Sequence, residues 1–133
     1  MEQDSKEAVH HEWYMRPVLF VSDVERAIGF YVGKLGFRKQ WHEADGKGTV
    51  CQVERGGCEI ILCEDATRDD RGRLFLELSR EGVDQLLEEV AERSVPTQKS
   101  WWGYDVLQIE DPDGNHLLIC LENLLPERSL QSD

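Results

Sequence analysis

Residues 18–36 (VLFVSDVERAIGFYVGKLG) read as an apolar strand, a helix cap and an amphipathic helix, and residues 74–95 (LFLELSREGVDQLLEEVAERSV) repeat that pattern. Val21 matches Leu78, an offset of 57 positions. Each unit is followed by material for three short strands, so the chain reads as two βαβββ modules in tandem. Internal repetition on this scale restricts the possible folds more than any single motif. It also lets a position in one module be checked against its counterpart in the other.

In the first module, residues 18–21 form a strand. Ser22 caps the helix, with Glu25 three residues on completing a capping box. Ala27, Phe30, Tyr31 and Leu35 recur at helical spacing, and Gly36 stops the helix. Residues 37–43, 49–54 and 58–63 read as strands, the last two joined through Arg55-Gly56-Gly57. In the second module, residues 74–78 are the strand and 82–93 the helix. Strands follow near 97–101, 104–109 and 116–121, and Asp111-Pro112-Asp113-Gly114-Asn115 is a strong turn signal. The expected organisation is an N-terminal arm (1–13), one domain (14–122) and a polar C-terminal tail (123–133). The domain divides into module one (16–64), a linker (65–72) and module two (73–122).

Alternation assigns the faces. Leu74, Leu76 and Leu78 fall on one side of their strand, beneath the helix. Arg73, Phe75 and Glu77 fall on the other, together with His116, Leu118, Cys120 and Glu122 of the last strand. A sheet whose second face carries scattered polar groups suggests a lined cavity. Trp41, Trp101, Trp102 and Tyr104 offer flat aromatic side chains, and at most one of the adjacent Trp101 and Trp102 can face into such a cavity.

The 27 acids against 15 bases leave a net charge of −12, which argues against nucleic-acid or anionic-membrane partners and suits a cationic ligand. No apolar run is long enough to span a membrane. The charged N-terminus lacks the apolar core of a signal peptide. Cys51, Cys58, Cys63 and Cys120 lie in apolar strand patterns without C-x-x-C spacing, as core residues of a reducing cytoplasm do.

The segment VSDVERAIGFYVGKLGF closely resembles the D-hydrophobic-x-x-A-x-x-F-Y-x-x-x-L-G-F motif of the glyoxalase / bleomycin-resistance / extradiol-dioxygenase superfamily, the vicinal oxygen chelate fold. EDPDGNHLLICLE resembles that superfamily's closing strand, and SWWGYDVLQIEDPDGNHL looks most like its bleomycin-resistance branch. The resemblance covers residues 16–122. It implies an α+β fold of paired βαβββ modules, a curved mixed sheet around a groove, and a homodimer.

Metal-using members carry ligands at the start of each module's first strand and inside each last strand. Here those positions hold Arg16, Arg73, Ile61 and Leu118. A guanidinium and an alkyl group offer a metal no lone pair. A two-residue slip would bring in Glu59 and His116 but would not repair the first strands. His10, His11 and His42 read as solvated. No metal, cofactor or catalytic residue is therefore expected.

The leading reading is a metal-independent, small-molecule sequestration protein with an antibiotic-like, planar or cationic ligand. Trp41, Phe75, Glu77, Trp101, Trp102, Tyr104, His116 and Glu122 line its groove. The alternative enzyme reading is a metal-dependent lyase or dioxygenase with displaced ligands. A third is an interaction domain with a vestigial groove.

Overall fold

The computed structural model describes residues 13–101, 103 and 105–121. Most of the expected N-terminal arm, the C-terminal tail and the site candidates Trp102, Tyr104 and Glu122 lie outside the described residues, as do His10 and His11. The first sheet is built from β1 (Val18–Val21), β2 (Arg38–His42), β3 (Val50–Arg55) and β4 (Cys58–Glu64), in the order β1-β4-β3-β2. The second uses β5 (Arg73–Leu76), β6 (Thr97–Trp101), β7 (Asp105–Glu110) and β8 (His116–Cys120), in the order β5-β8-β7-β6. The fold is α+β, with two tandem modules and two four-stranded mixed sheets.

The 57-residue offset is visible in the register. Val18 pairs with Ile61 in the parallel β1–β4 ladder, and their counterparts Phe75 and Leu118 pair in β5–β8. The hairpins differ by one residue. Glu54 faces Glu59 across a tight Gly56-Gly57 turn, whereas Glu110 faces His116 across the longer D-P-D-G-N turn.

Helix α1 (Val24–Ile28) widens into a π-turn over Gly29–Lys34, and Gly36 then takes φ +73° to turn the chain out. Its cap is Asp23 rather than Ser22. The Asp23 carboxylate accepts from the amides of Glu25 and Arg26, while the Ser22 amide is drawn to Asp113 in the second module at 2.9 Å. Helix α2 (Arg80–Glu92) is capped by Ser79, whose hydroxyl accepts from the Gly82 amide. It therefore starts two residues before the apolar pattern suggests. A single turn at Glu43–Gly46, with Ala44 and Asp45 left-handed, interrupts the expected first hairpin.

The helix-side faces of both sheets belong to one core. Leu19, Val21, Ala27 and Tyr31 of the first module join Val83, Leu86, Ile109, Leu117 and Ile119 of the second. Polar groups also tie the modules together. Tyr31 Oη donates to buried Asp111 Oδ2 at 2.9 Å, and Asn115 accepts from the Gly72 amide and donates to the Phe20 carbonyl. Arg55 donates to Glu89 and to the Leu35 carbonyl, both at 2.7 Å. Lys34 and Arg93 exchange side-chain-to-carbonyl bonds where the helices end.

Candidate functional site

The opposite, non-helical faces of the two sheets are organised by register. One row across the first sheet is Val18, Ile61, Gln52 and Trp41; the corresponding row of the second is Phe75, Leu118, Gln108 and Gln98. Trp41 is 42% exposed on the outermost strand and Phe75 is 41% exposed on β5. His116 shares this face with Phe75, two residues along, and its Nε2 lies 3.4 Å from Glu110 Oε1. Trp41, Phe75 and His116 thus lie on the non-helical faces of the two sheets.

The structure separates two others from it. Strand β5 ends at Leu76, so the alternation that would carry Glu77 to the Phe75 face stops one residue short. Glu77 instead borders a cavity of about 520 Å³ between the modules, lined chiefly by helix-side residues such as Leu76, Leu86, Ile109 and Leu117. Trp101 pairs with Asp105, two steps from the Lys99–Leu107 pair, which puts it on the helix-side face rather than beside Phe75. It is 65% exposed.

A second cavity, of about 440 Å³, opens where the modules meet on the Phe75 side. Arg16, Glu59, Arg73 and Phe75 line it, with Met15 and Pro17 at one end. Neither cavity contains Trp41, Trp101 or His116. Continuing the β1–β4 register two residues back from the Val18–Ile61 pair places Arg16 beside Glu59, just as Arg73 pairs with His116.

Arg16 Nη1 donates to Gln52 Oε1 at 2.9 Å, and Gln52 Nε2 donates in turn to Gln40 Oε1. The Arg16 guanidinium also lies 5.4 Å from the Tyr14 ring centroid. Gln52 is 2% exposed, a buried polar side chain between Cys51 and Val53. Its amide is held on both sides, as a buried polar group requires. Glu59 Oε1 is buried and has no hydrogen-bond partner among the described residues.

Gln52 and Gln40 are the residues that sequence reasoning missed. The available signal was a lone amide inside an apolar strand run. Its partner, Gln40, sits at a bulge between Lys39 and Trp41 that no sequence pattern announces.

A divalent cation does not fit this set. Arg16, Ile61, Arg73 and Leu118, which stand at the four positions anticipated for ligands, offer no lone pair to a metal. Among the described residues, no group of three or more His, Cys, Asp or Glu side chains converges. All four cysteines are free. Burial raises the Cys51 and Cys58 thiols above their ordinary range, which favours the neutral thiol over the nucleophilic thiolate.

The family profile described as "Glyoxalase/Bleomycin resistance protein/Dioxygenase superfamily" matches residues 12–119. Bleomycin resistance proteins from Geobacillus stearothermophilus and Staphylococcus aureus are 25% identical over 117 residues, covering 74% of this chain and 89% of each relative. Among solved structures, the bleomycin-binding protein of Streptomyces verticillus, complexed with copper(II)-bleomycin, superposes with a TM-score of 0.65 at 23% identity. That match covers 84% of this chain and 98% of that one. A lactoylglutathione lyase from Agrobacterium tumefaciens gives 0.63 at 17% identity, over 83% and 93% of the two chains.

Proposed function

Because the chain belongs to the glyoxalase/bleomycin resistance protein/dioxygenase superfamily, we propose that it binds and sequesters a small molecule without a metal and without breaking a bond. The ligand is planar and antibiotic-like, and the net charge of −12 favours a cationic body. The observation that carries this reading is the non-helical face. It displays exposed Trp41 and Phe75, while arginine and alkyl side chains occupy the anticipated metal positions. Aromatic side chains on a half-open face suit stacking against a flat ligand. The bleomycin-resistance relatives support the same class of function.

The working form is a homodimer in the cytoplasm. An exposed apolar face containing Val18, Trp41 and Phe75, beside the open edges of β2 and β6, favours pairing with a second copy. Among the described residues, no helix is long and apolar enough to cross a membrane.

The test is titration of metal-stripped protein with metal-free bleomycin, read by tryptophan emission and by light scattering. Saturable quenching that persists in chelator, is lost in Trp41→Ala and Phe75→Ala, and accompanies a mass twice 15.4 kDa is the expected result. Each truncation should weaken binding by about 1–3 kcal/mol, the scale of an aromatic contact at an interface. A stoichiometric, tightly held Fe, Mn, Ni or Zn ion needed for binding would instead favour the lyase or dioxygenase reading. A monomer at micromolar concentration would remove the dimer.

A further inference from the structure

We infer that the cavity between the modules on the Phe75 side is an oxyanion site, built to receive the carboxylate of a planar ligand. The inference deepens the sequestration reading and rests on it. At the positions where related proteins would present metal ligands, this chain presents two guanidinium groups, Arg16 and Arg73, on one cavity. A metal cation is repelled there, and a carboxylate or phosphate is attracted.

Three observations separate this from two incidental surface arginines. First, Arg16 is positioned. Its Nη1 is tied to Gln52, which is itself buried and held by Gln40, so a chain of amides fixes the guanidinium from behind. Preorganised donors of this kind lose less freedom on binding.

Second, neither arginine pairs with a carboxylate among the described residues, although acids outnumber bases by 27 to 15. Arg26, Arg38, Arg55, Arg68 and Arg93 all do. In so acidic a chain, two cavity arginines with no carboxylate partner among the described residues mark a locally positive spot. Screening confines the opposing net charge to roughly 8 Å at physiological salt, so the two guanidinium groups against the one Glu59 carboxylate in the cavity decide the sign.

Third, the Glu59 Oε1 atom is buried at the same cavity with no hydrogen-bond partner among the described residues. A buried acceptor left unmade is costly, and a donor next to the ligand's acid group would satisfy it. With Phe75 supplying a flat wall, the chemistry that fits is an aromatic carboxylate bearing an adjacent N–H. The Arg16–Arg73 pair holds the acid, Glu59 takes the N–H, and Phe75 covers the ring.

The probes are 2-aminobenzoate, which carries all three features, and its methyl ester, which loses only the charge. Each is titrated into the uniformly ¹⁵N-labelled full chain and followed by amide, indole and arginine side-chain resonances. The acid is expected to bind about tenfold more tightly than the ester, the scale of one charge-assisted hydrogen bond. Arg16→Gln and Arg73→Gln should each shrink that preference, and the double variant should bring acid and ester within about twofold.

Equal or tighter binding of the ester, a preference that survives in the double variant, or no binding of either probe overturns the inference. If the ester binds better and Phe75→Ala still abolishes it, the sequestration reading stands and only the oxyanion site falls. If neither probe nor bleomycin perturbs the face at Phe75 and Trp41, both fall.

Discussion

Replacing Tyr31 with Phe isolates one hydrogen bond that joins the modules. The Tyr31 ring is fully buried and packs edge-on against Phe30 and Phe37, with centroids 5.3 and 5.7 Å away. Phe keeps all of that packing. What disappears is the 2.9 Å bond from Oη to Asp111 Oδ2, which spans 80 residues of chain between the helix of module one and the closing turn of module two. Asp111 keeps its other donors: the amides of Asp113 and Asn115, and Asn115 Nδ2. The carboxylate is therefore weakened as an acceptor but not orphaned, and the loss should be about 1.5–3 kcal/mol, the value of a hydrogen bond to a charged group. Unfolding entropy for 133 residues is roughly 0.28 kcal/mol per kelvin, so the midpoint should fall by about 5–11 °C. Urea unfolding followed by circular dichroism measures the first number and calorimetry the second.

The same bond has an alkaline signature. Burial, followed by the charge of Asp111 and the bond to it, pushes the Tyr31 phenol well above its ordinary value near 10. The folded state thus disfavours phenolate. The contribution is fully present below the unfolded value and is lost as pH rises through the higher folded one. Wild-type protein should lose stability above about pH 10 more steeply than Tyr31→Phe. A variant within 0.5 kcal/mol of wild type at neutral pH, with an unchanged alkaline limb, would refute the reasoning.

Glu89→Gln should flatten the acid limb. The hydrogen bond from Arg55 holds the Glu89 carboxyl below its ordinary range, so its contribution is present above the unfolded value and fades as pH falls through the folded one. A loss of about 1–2 kcal/mol at pH 7, shrinking below pH 4 in urea titrations, is expected. Gly36→Ala should cost about 1–3 kcal/mol in the same assay. Gly36 sits at φ +73°, and an added Cβ would lie 2.8 Å from Arg55 Nη1, pressing on the same ion pair.

The elements were legible where one physical demand governs a run of residues. The Leu74, Leu76, Leu117 and Ile119 faces, the helix containing Ala27 and Tyr31, and the turn at Asp111–Asn115 all follow from periodicity and turn chemistry. Legibility failed where two local solutions compete. Ser22 and Asp23 are both good caps, and the choice is made by Asp113, 91 residues away, which takes the Ser22 amide. Glu77 and Trp101 show the limit for the site. Alternation fixes faces only while the strand lasts and only once its partner is known. Strand β5 stops at Leu76, and the side of Trp101 is set by Asp105. Gln52 was invisible for a related reason, since its role depends on Arg16 and Gln40 from two other segments.

Comparing the two modules position by position shows where the core's demands end. On the helix side, Leu19 and Leu76, Val21 and Leu78, Ile60 and Leu117, and Leu62 and Ile119 are aliphatic in both copies. The shared core accepts little else, because close packing penalises both voids and added bulk. On the other face some positions differ, Val18 against Phe75 and Glu59 against His116, while Ile61 and Leu118 are both aliphatic and Gln52 and Gln108, like Cys63 and Cys120, are the same residue. Leu118, Cys120, Val106 and Gln52 are buried on that face, whereas Val18 and Phe75 are exposed there. Arg16 and Arg73 are also the same residue. Neither is buried, and neither pairs with a carboxylate among the described residues. The core therefore cannot be what keeps them alike. An arginine from each module at one cavity is what a two-guanidinium grip on a single acid group requires.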